Sequence, residues 1–303
     1  MAESTWAAFS KELADTSAEI GKSVVAVLGR RHPSSGLLLS RDAVVTVNHA
    51  LRRDDEIGVV LGPGKKLVAR VTGRDSGTDL AVLRLPEPVD APPLRWKRET
   101  VRVGELVLAL GRSWRGNVVA SSGVLSGVIN TAWKTWQRGE LDQFIRPDLT
   151  LYPGFSGGPL VAPGGAIMGI NTAGLHRQGI TIPASTVERV AQELLEKGAV
   201  ERPWLGLAMQ PVPFPESLRS RLNLNASQGL LVAHVEPSGP ADKAGVLLGD
   251  LLYEIAGQPV PDTDRGQEVL RNTRVGQQVE VKLLRAGNPA TAHISLGSRP
   301  ARS

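Results

Sequence analysis

The sequence has no cysteine in its 303 residues. This absence excludes disulfide bonds, a thiol nucleophile and cysteine-ligated metal, and it is compatible with a reducing cytosol. No apolar run approaches the roughly 18 residues of a membrane-spanning helix, so we expect no transmembrane segment. Residues 1–20 contain neither the basic nor the apolar region of a secretory signal peptide. The sequence therefore predicts a cytoplasmic protein.

Aromatic residues are also few, at 4% of the chain, whereas hydrophobic residues make up 41% and charged residues 21%. The last two values are typical of a globular protein and exclude disorder of the bulk of the chain. The 33 glycines and 21 prolines indicate many turns and short strands. The net charge of +5 fits an ordinary solvated surface, so we expect no nucleic-acid partner.

Short apolar runs bounded by Gly, Pro, Ser and Asp recur between residues 24 and 171. This pattern predicts an all-β barrel or sandwich. The proline-rich residues 86–93 read as a connector between two β units. A helix capped by Ser185 and ended by Gly198 follows, and Arg202-Pro203 marks a boundary before a second, smaller unit.

The first residues differ from the rest because they predict a helix. Trp6, Phe9, Leu13 and Ile20 are spaced as on one helical face. This face either docks on its own domain or packs against another subunit. The sequence thus divides into an N-terminal helical segment at 1–21, a first domain at 22–200 and a second domain at 203–298.

Three segments contain residues with catalytic potential. His49 follows a strand of alternating valines, Asp79 begins an apolar strand, and Ser156 lies among Gly154, Gly157 and Gly158. Taken singly, each has an ordinary explanation as a structural histidine, a capping aspartate or a glycine-rich hairpin. Together they form a nucleophilic system, because a serine hydroxyl needs an adjacent base and the base needs an orienting carboxylate.

The order of these residues separates two classes of hydrolase. Gly154-x-Ser156-x-Gly158 also fits the nucleophile elbow of α/β-hydrolases, which place their acid and histidine after the serine. Here His49 and Asp79 precede Ser156, and βα alternation is missing. The glycines also leave the amides of Gly154 and Ser156 able to form an oxyanion hole.

The chain resembles the HtrA/Deg family of serine endopeptidases. The resemblance implies a mainly β fold, with a chymotrypsin-like double β-barrel and a C-terminal PDZ domain. It assigns the triad to His49, Asp79 and Ser156 and the oxyanion amides to Gly154 and Ser156. The matching motifs are TVNHA at 46–50, TDLAVL at 78–83, GFSGG at 154–158, GINTA at 169–173 and IPAS at 182–185.

The implied activity is that of an ATP-independent serine endopeptidase that cleaves misfolded or exposed polypeptides in protein quality control. The resemblance also implies a homotrimer and requires no cofactor or metal. One alternative is a proteolytically silent chaperone or PDZ scaffold on the same fold. Another is a narrow regulatory protease with one target, which uses the same chemistry.

The resemblance also locates a specificity pocket. Its floor falls at Thr150 and its walls at Asn171, Thr172 and Ala173. No acid lies at the floor, so we expect apolar or small residues, rather than Lys or Arg, before the scissile bond. Phe155 departs from the family, which has a small polar residue there, and we expect its side chain to fill or reshape the site.

The second domain and one loop complete the functional expectations. In Trp204-Leu205-Gly206-Leu207, the last three residues resemble a PDZ loop that binds the carboxylate of a peptide C-terminus. Gly266 stands where a helix leucine is expected, so the adjacent side-chain pocket should be weak. Residues 133–138, WKTWQR, suit a regulatory contact or loop packing, and less well nucleic-acid or membrane binding.

Overall fold

The chain forms two compact units, at residues 1–200 and 201–303. The computed structural model describes residues 4–135, 139–176, 179–222 and 227–298, with the side chains of 221–222 excepted. Within these ranges no helix combines the length and apolarity needed to cross a bilayer. Strands dominate both units, which confirms the mainly β fold.

The first six strands close into a barrel in the order β1-β2-β3-β6-β5-β4. Most valine and leucine side chains of these strands are buried on both faces, because one face fills the barrel and the other packs against the second barrel. A single 3-10 turn, Asn48–Ala50, follows the third strand. The strands are β1 (Val24–Leu28), β2 (Ser34–Leu38), β3 (Ala43–Val47), β4 (Ile57–Gly62), β5 (Lys65–Asp75) and β6 (Leu80–Arg84).

The next strands form a second closed barrel and a small hairpin. They are β7 (Leu106–Arg112), β8 (Val118–Ile129), β9 (Trp133–Lys134), β10 (Glu140–Leu141), β11 (Phe144–Asp148), β12 (Pro159–Val161), β13 (Ile167–Thr172) and β14 (Ile180–Pro183). The barrel order is β11-β14-β13-β12-β7-β8, and β9 pairs with β10 outside it. The two barrels confirm the predicted double β-barrel.

Two helices pack on the barrels. Helix α1 (Thr5–Gly21) lies on its own second barrel, where Phe9 and Leu13 line a small cavity with residues of β7. Trp6, on the preceding turn, stays 81% exposed. Helix α2 (Ala184–Lys197) is terminated by Gly198 in the left-handed conformation, as predicted. The residue before its first turn is Pro183, and Ser185 lies inside the helix and does not cap it.

The second unit is a sheet with helices and its own apolar core. The main sheet has the order β16-β17-β18-β20-β21, so β16 lies at an edge. Short strands β15 and β22 pair with each other, and β19 pairs with β18. The elements are β15 (Pro203–Trp204), β16 (Leu207–Pro213), α3 (Glu216–Leu222), β17 (Gln228–Val235), α4 (Pro240–Lys243), β18 (Leu251–Ile255), β19 (Gln258–Pro259), α5 (Thr263–Arg271), β20 (Gln278–Arg285), β21 (Asn288–Ser295) and β22 (Gly297–Ser298).

Candidate active site

His49 and Asp79 form a hydrogen-bonded pair at one edge of the first barrel. The turn after β3 carries His49, and the turn before β6 carries Asp79. The Nδ1 atom of His49 lies 2.7 Å from Oδ2 of Asp79, and the His49 amide donates to Oδ1 at 2.9 Å. The carboxylate is 1% exposed and the imidazole 35%. Asp79 therefore fixes the ring and leaves its Nε2 atom as the nitrogen that can accept a proton.

The buried carboxylate of Asp79 is held by further contacts. Its own backbone has a φ of +59°, in a turn that the Asp75 carboxylate stabilises by accepting from Gly77 and Thr78. The Thr172 hydroxyl donates to Oδ2 of Asp79 at 2.5 Å. With two bonds from His49, this contact compensates the cost of removing the charge from water.

Gly174 packs directly against the His49–Asp79 pair. Its amide donates to the Thr172 hydroxyl at 2.9 Å. A β-carbon at this position would lie 2.5 Å from both Oδ2 of Asp79 and Nδ1 of His49. Real contacts of this kind are not made at such a distance, so only glycine fits here without displacing the pair.

Ser156 lies on a tight loop of the second barrel. Main-chain bonds close this loop: the Phe155 amide donates to the Tyr152 carbonyl at 3.0 Å, and the Gly157 amide donates to the Asn171 carbonyl at 2.8 Å. The Ser156 hydroxyl accepts from the Ala173 amide at 3.2 Å. Within the described residues, the amides of Gly154 and Ser156 donate to no acceptor. Two alternate N–H groups are thus left for an incoming oxygen atom.

Ser35 of β2 connects the first barrel to this loop, and sequence reasoning missed it. Its hydroxyl donates to the Gly154 carbonyl at 2.7 Å, and its amide donates to the Ser156 carbonyl at 2.8 Å. The hydroxyl also accepts from the Arg112 amide at 2.9 Å, while the Ser35 carbonyl accepts from Thr46 at 2.7 Å. Ser35 is fully buried, so its bonds hold the conformation of the loop.

Arg112 supports the same region through its side chain. The guanidinium donates to the carbonyls of Gly21, Val24 and Gly116. Burial lowers the pKa of Arg112. These bonds tie the end of α1 and the start of β1 to the turn between β7 and β8.

The predicted pocket residues lie near Ser156 but do not all face one space. Thr150 is exposed just after β11. Asn171 is buried, with its Oδ1 atom accepting from Thr181 at 2.9 Å and its Nδ2 atom without a partner among the described residues. Ala173 contributes the amide that contacts Ser156. Thr172 points to Asp79 instead of a pocket, because side chains alternate along β13.

The Phe155 side chain does not fill the site, contrary to the expectation from sequence. It is 2% exposed and packs in the core of the second barrel with Ile145 and Leu160. Its ring centroid lies 5.9 Å from that of Tyr152. Phe155 therefore anchors the serine loop to the core of the second barrel.

Residues 133–135 pack beside the Asp79 turn. The ring of Trp133 lies 5.0 Å from that of Phe144, and the Thr135 hydroxyl donates to the Gly77 carbonyl at 2.7 Å. These contacts are those of loop packing. Trp136, Gln137 and Arg138 lie outside the described residues.

The candidate peptide-binding loop of the second unit leads into the edge strand β16. Gly206 has a φ of +80°, and its carbonyl accepts from the Glu236 amide at 2.8 Å. Leu205 is buried and Leu207 starts β16. A β-carbon at Gly266 of α5 would meet Leu230 at 3.5 Å, an ordinary contact, so the glycine leaves room there.

An ion pair joins the buried Asp250 carboxylate to the partly exposed Arg285 side chain in the same unit. The Asp250 carboxylate, 2% exposed, accepts from the Arg285 guanidinium at 2.7 and 2.9 Å and from the Leu247 amide at 2.9 Å. Burial opposes ionisation of Asp250, yet the hydrogen bonds from Arg285 and Leu247 hold its pKa below the ordinary value.

Comparison with known proteins assigns both units. Residues 34–170 match the trypsin-like peptidase domain, and residues 203–296 match the PDZ domain. A probable periplasmic serine endoprotease of the DegP-like type from Halomonas elongata is 33% identical over 279 residues, covering 89% of this chain and 57% of that protein. A protein of the same name from Rhizobium meliloti is 31% identical, with 90% and 55% covered. The chain thus spans little more than half the length of these relatives.

Their names correct one prediction. Both relatives are named periplasmic, which contradicts the cytoplasmic location predicted from residues 1–20. That prediction is wrong, because it rested on the composition of a short segment alone.

Solved structures show the same similarity along the chain. The HtrA-type protease AlgW with a decapeptide has a TM-score of 0.75 at 26% identity, covering 96% of this chain and 99% of that one. A serine endoprotease from Yersinia pestis has a TM-score of 0.74 at 25% identity, with 95% and 98% covered. With its trypsin-like peptidase domain followed by a PDZ domain, the chain belongs to the HtrA/Deg family of serine proteases.

Proposed function

We propose that the protein is an ATP-independent serine endopeptidase that cleaves misfolded or exposed polypeptides in protein quality control, in the periplasm as its relatives are named. The observation that carries this proposal is the arrangement around Ser156. Its loop presents two amide N–H groups that donate no hydrogen bond within the described residues, and the first barrel supplies a hydrogen-bonded His49–Asp79 pair. Such an arrangement suits acyl transfer.

The chemistry assigns one role to each group. The Ser156 hydroxyl attacks the peptide carbonyl carbon while Nε2 of His49 takes its proton, and Asp79 stabilises the imidazolium. The negatively charged oxygen of the tetrahedral intermediate accepts hydrogen bonds from the amides of Gly154 and Ser156. His49 then gives the proton to the departing amine as the C–N bond breaks. Water attacks the resulting ester with His49 as base, and Ser156 regains its proton when the acid product leaves.

Substrate selection before the scissile bond depends on the surroundings of Thr150. We assign the pocket floor to Thr150 and its walls to Asn171 and Ala173, so a cationic side chain would find no carboxylate there. Cleavage after Val, Ala, Leu or Ile is therefore expected. Thr172 acts as a positioning residue for Asp79, through its hydroxyl, and not as a pocket wall.

The PDZ unit binds peptides, and the N-terminal helix contacts another subunit of the same protein. Leu205, Gly206 and Leu207 bind the C-terminal carboxylate of a peptide, which adds to the edge strand β16. The AlgW structure with a decapeptide supports peptide binding by proteins of this type. The chain assembles as a homotrimer in which the exposed Trp6 contacts a neighbouring subunit.

Labelling with a fluorophosphonate tests the enzymatic proposal against the silent chaperone or scaffold. We expect one covalent adduct on Ser156 and cleavage of casein. Ser156→Ala should abolish both while keeping the melting temperature, whereas Ser122→Ala, at an exposed serine of β8, should keep both activities. An unlabelled, folded wild-type protein would refute the enzyme and favour the chaperone or scaffold.

A further inference from the structure

An open groove begins at Gly154 and has no role in the chemistry described above. It has a volume of about 460 Å³. Its walls come from the turn that follows β7, from the start of β8, from the start of the serine loop and from the residue before β2. The residues that shape it are Pro33, Trp114, Val119, Tyr152, Pro153 and Gly154.

Large apolar side chains line this groove and are exposed to water. Trp114 is 60% exposed, Tyr152 56% and Val119 40%. Contiguous exposed apolar surface of this kind marks an interaction site, and tryptophan and tyrosine are the side chains that contribute most at such sites. An aromatic or aliphatic ligand side chain would cover this surface.

The walls of the groove are already fixed in place. The ring of Tyr152 contacts the buried ring of Phe155, and its carbonyl accepts from the Phe155 amide. The Trp114 turn is closed by the Ser113 amide, which donates to the Asn117 carbonyl at 2.9 Å. The Arg115 guanidinium lies 4.9 Å from the Trp114 ring centroid. The groove is therefore preformed, so a ligand binds with little loss of conformational entropy in the protein.

The position of the groove identifies which part of a substrate reaches it. The Ala173 amide contacts the Ser156 hydroxyl, and Asn171 and Ala173 belong to the pocket proposed above for the side chain before the scissile bond. The groove includes none of them, and it extends from Gly154 toward Pro33 of the first barrel. The Pro33 carbonyl would lie 3.6 Å from a β-carbon at Gly154, so Pro33 lies beside the oxyanion loop at this end of the groove.

We infer that this groove binds the first residues after the scissile bond and selects large apolar or aromatic side chains there. The inference rests on the proposed peptidase function and adds a second source of specificity to it. Unfolded polypeptides expose such side chains, whereas folded proteins bury most of them. The groove thus favours substrates that have lost their fold.

Acyl transfer tests the groove separately from the rest of the site. A short peptide ester ending in valine forms the acyl-enzyme, which then partitions between water and an added amine. The amine attacks the acyl carbonyl, the bond to Ser156 Oγ breaks, and a proton returns to Ser156 as the new amide leaves. Phenylalaninamide probes the groove, and glycinamide is the reference. For each variant, the yield of the amide product is divided by the yield of the hydrolysis product.

We expect phenylalaninamide to capture the acyl group about tenfold better than glycinamide, as an apolar pocket discriminates. Trp114→Ala and Tyr152→Ala should each reduce this ratio to about threefold or less, and Trp114→Phe should restore most of it. Val103→Ala, which shortens an exposed apolar side chain outside the groove, should keep the wild-type ratio.

Two results would overturn the inference alone, with Ser156 still labelled by the fluorophosphonate. One is equal capture of the two amines by the wild type. The other is a high ratio that neither alanine variant changes. Failure of Ser156 to react with the fluorophosphonate and the ester would overturn the peptidase function, and the inference with it.

Discussion

Replacement of Ser35 by alanine tests how the first barrel controls the serine loop. The change removes the hydroxyl that donates to the Gly154 carbonyl and accepts from the Arg112 amide. The Arg112 amide then stays buried without its partner, at a cost of about 1–3 kcal/mol, and the carbonyl of the half-buried Gly154 loses the bond that orients it. If about 1.4 kcal/mol falls on the loop conformation, the equilibrium constant for forming the oxyanion hole drops about tenfold. We expect kcat to fall about tenfold to a hundredfold.

The neighbouring serine supplies a matched control. Ser34 is also buried, but its hydroxyl has no hydrogen-bond partner among the described residues. Ser34→Ala therefore removes the same atom from the same strand without breaking a bond to the loop. It should leave kcat within about twofold of the wild type, because no donor or acceptor loses a partner.

Three measurements on both variants separate positioning from general damage. Ester hydrolysis gives kcat and KM, thermal unfolding gives stability, and a peptide boronic acid reports the oxyanion hole because its tetrahedral adduct places an oxygen there. Ser35→Ala should lower kcat and boronate affinity while KM changes little. Unchanged kcat in Ser35→Ala, or an equal loss in Ser34→Ala, would refute the reasoning.

Three further predictions concern other parts of the chain. Gly174→Ala should lower kcat by at least about a hundredfold, because its β-carbon displaces the His–Asp pair, whereas Gly62→Ala, in open space, should not. Hydrogen exchange should show the second unit losing stability as the pH falls below about 4, where the unfolded chain binds more protons than folded Asp250 paired with Arg285, and Asp250→Asn should flatten this dependence. Light scattering should show a trimer whose mass falls in Trp6→Ala, since a buried aromatic hot spot contributes about 2 kcal/mol or more. A wild-type monomer would contradict the trimer, and a trimer that persists in Trp6→Ala would contradict the Trp6 contact.

Much of the fold could be predicted from sequence because alternating apolar residues define strands locally. Strand β1 has the limits that its apolar run predicts, and Gly198 ends α2 as expected. Strands β11 and β14 are not evident from their own residues, because each is short and contains a proline. Their pairing partners, and not their own residues, make them strands.

The candidate site divides in the same way. His49, Asp79 and Ser156 could be singled out because their residue types and order carry the chemistry. Ser35 could not, since its role depends on the approach of two barrels that the linear sequence does not describe. The direction of the Thr172 side chain can be predicted, because side chains alternate along a strand and it points away from those of Asn171 and Ala173. Its contact with Asp79 cannot be predicted, because that contact depends on the packing of the two barrels.

The separation of the nucleophile from its base has a consequence for biosynthesis. The first barrel is complete at residue 84, whereas Ser156 and the threonine that supports the carboxylate come at least seventy residues later. A ribosome-bound chain that has folded only this barrel holds a base with nothing to activate. Under the proposed function, nascent copies on one messenger therefore hold no nucleophile at that stage, and proteolysis requires that the second barrel has closed against the first.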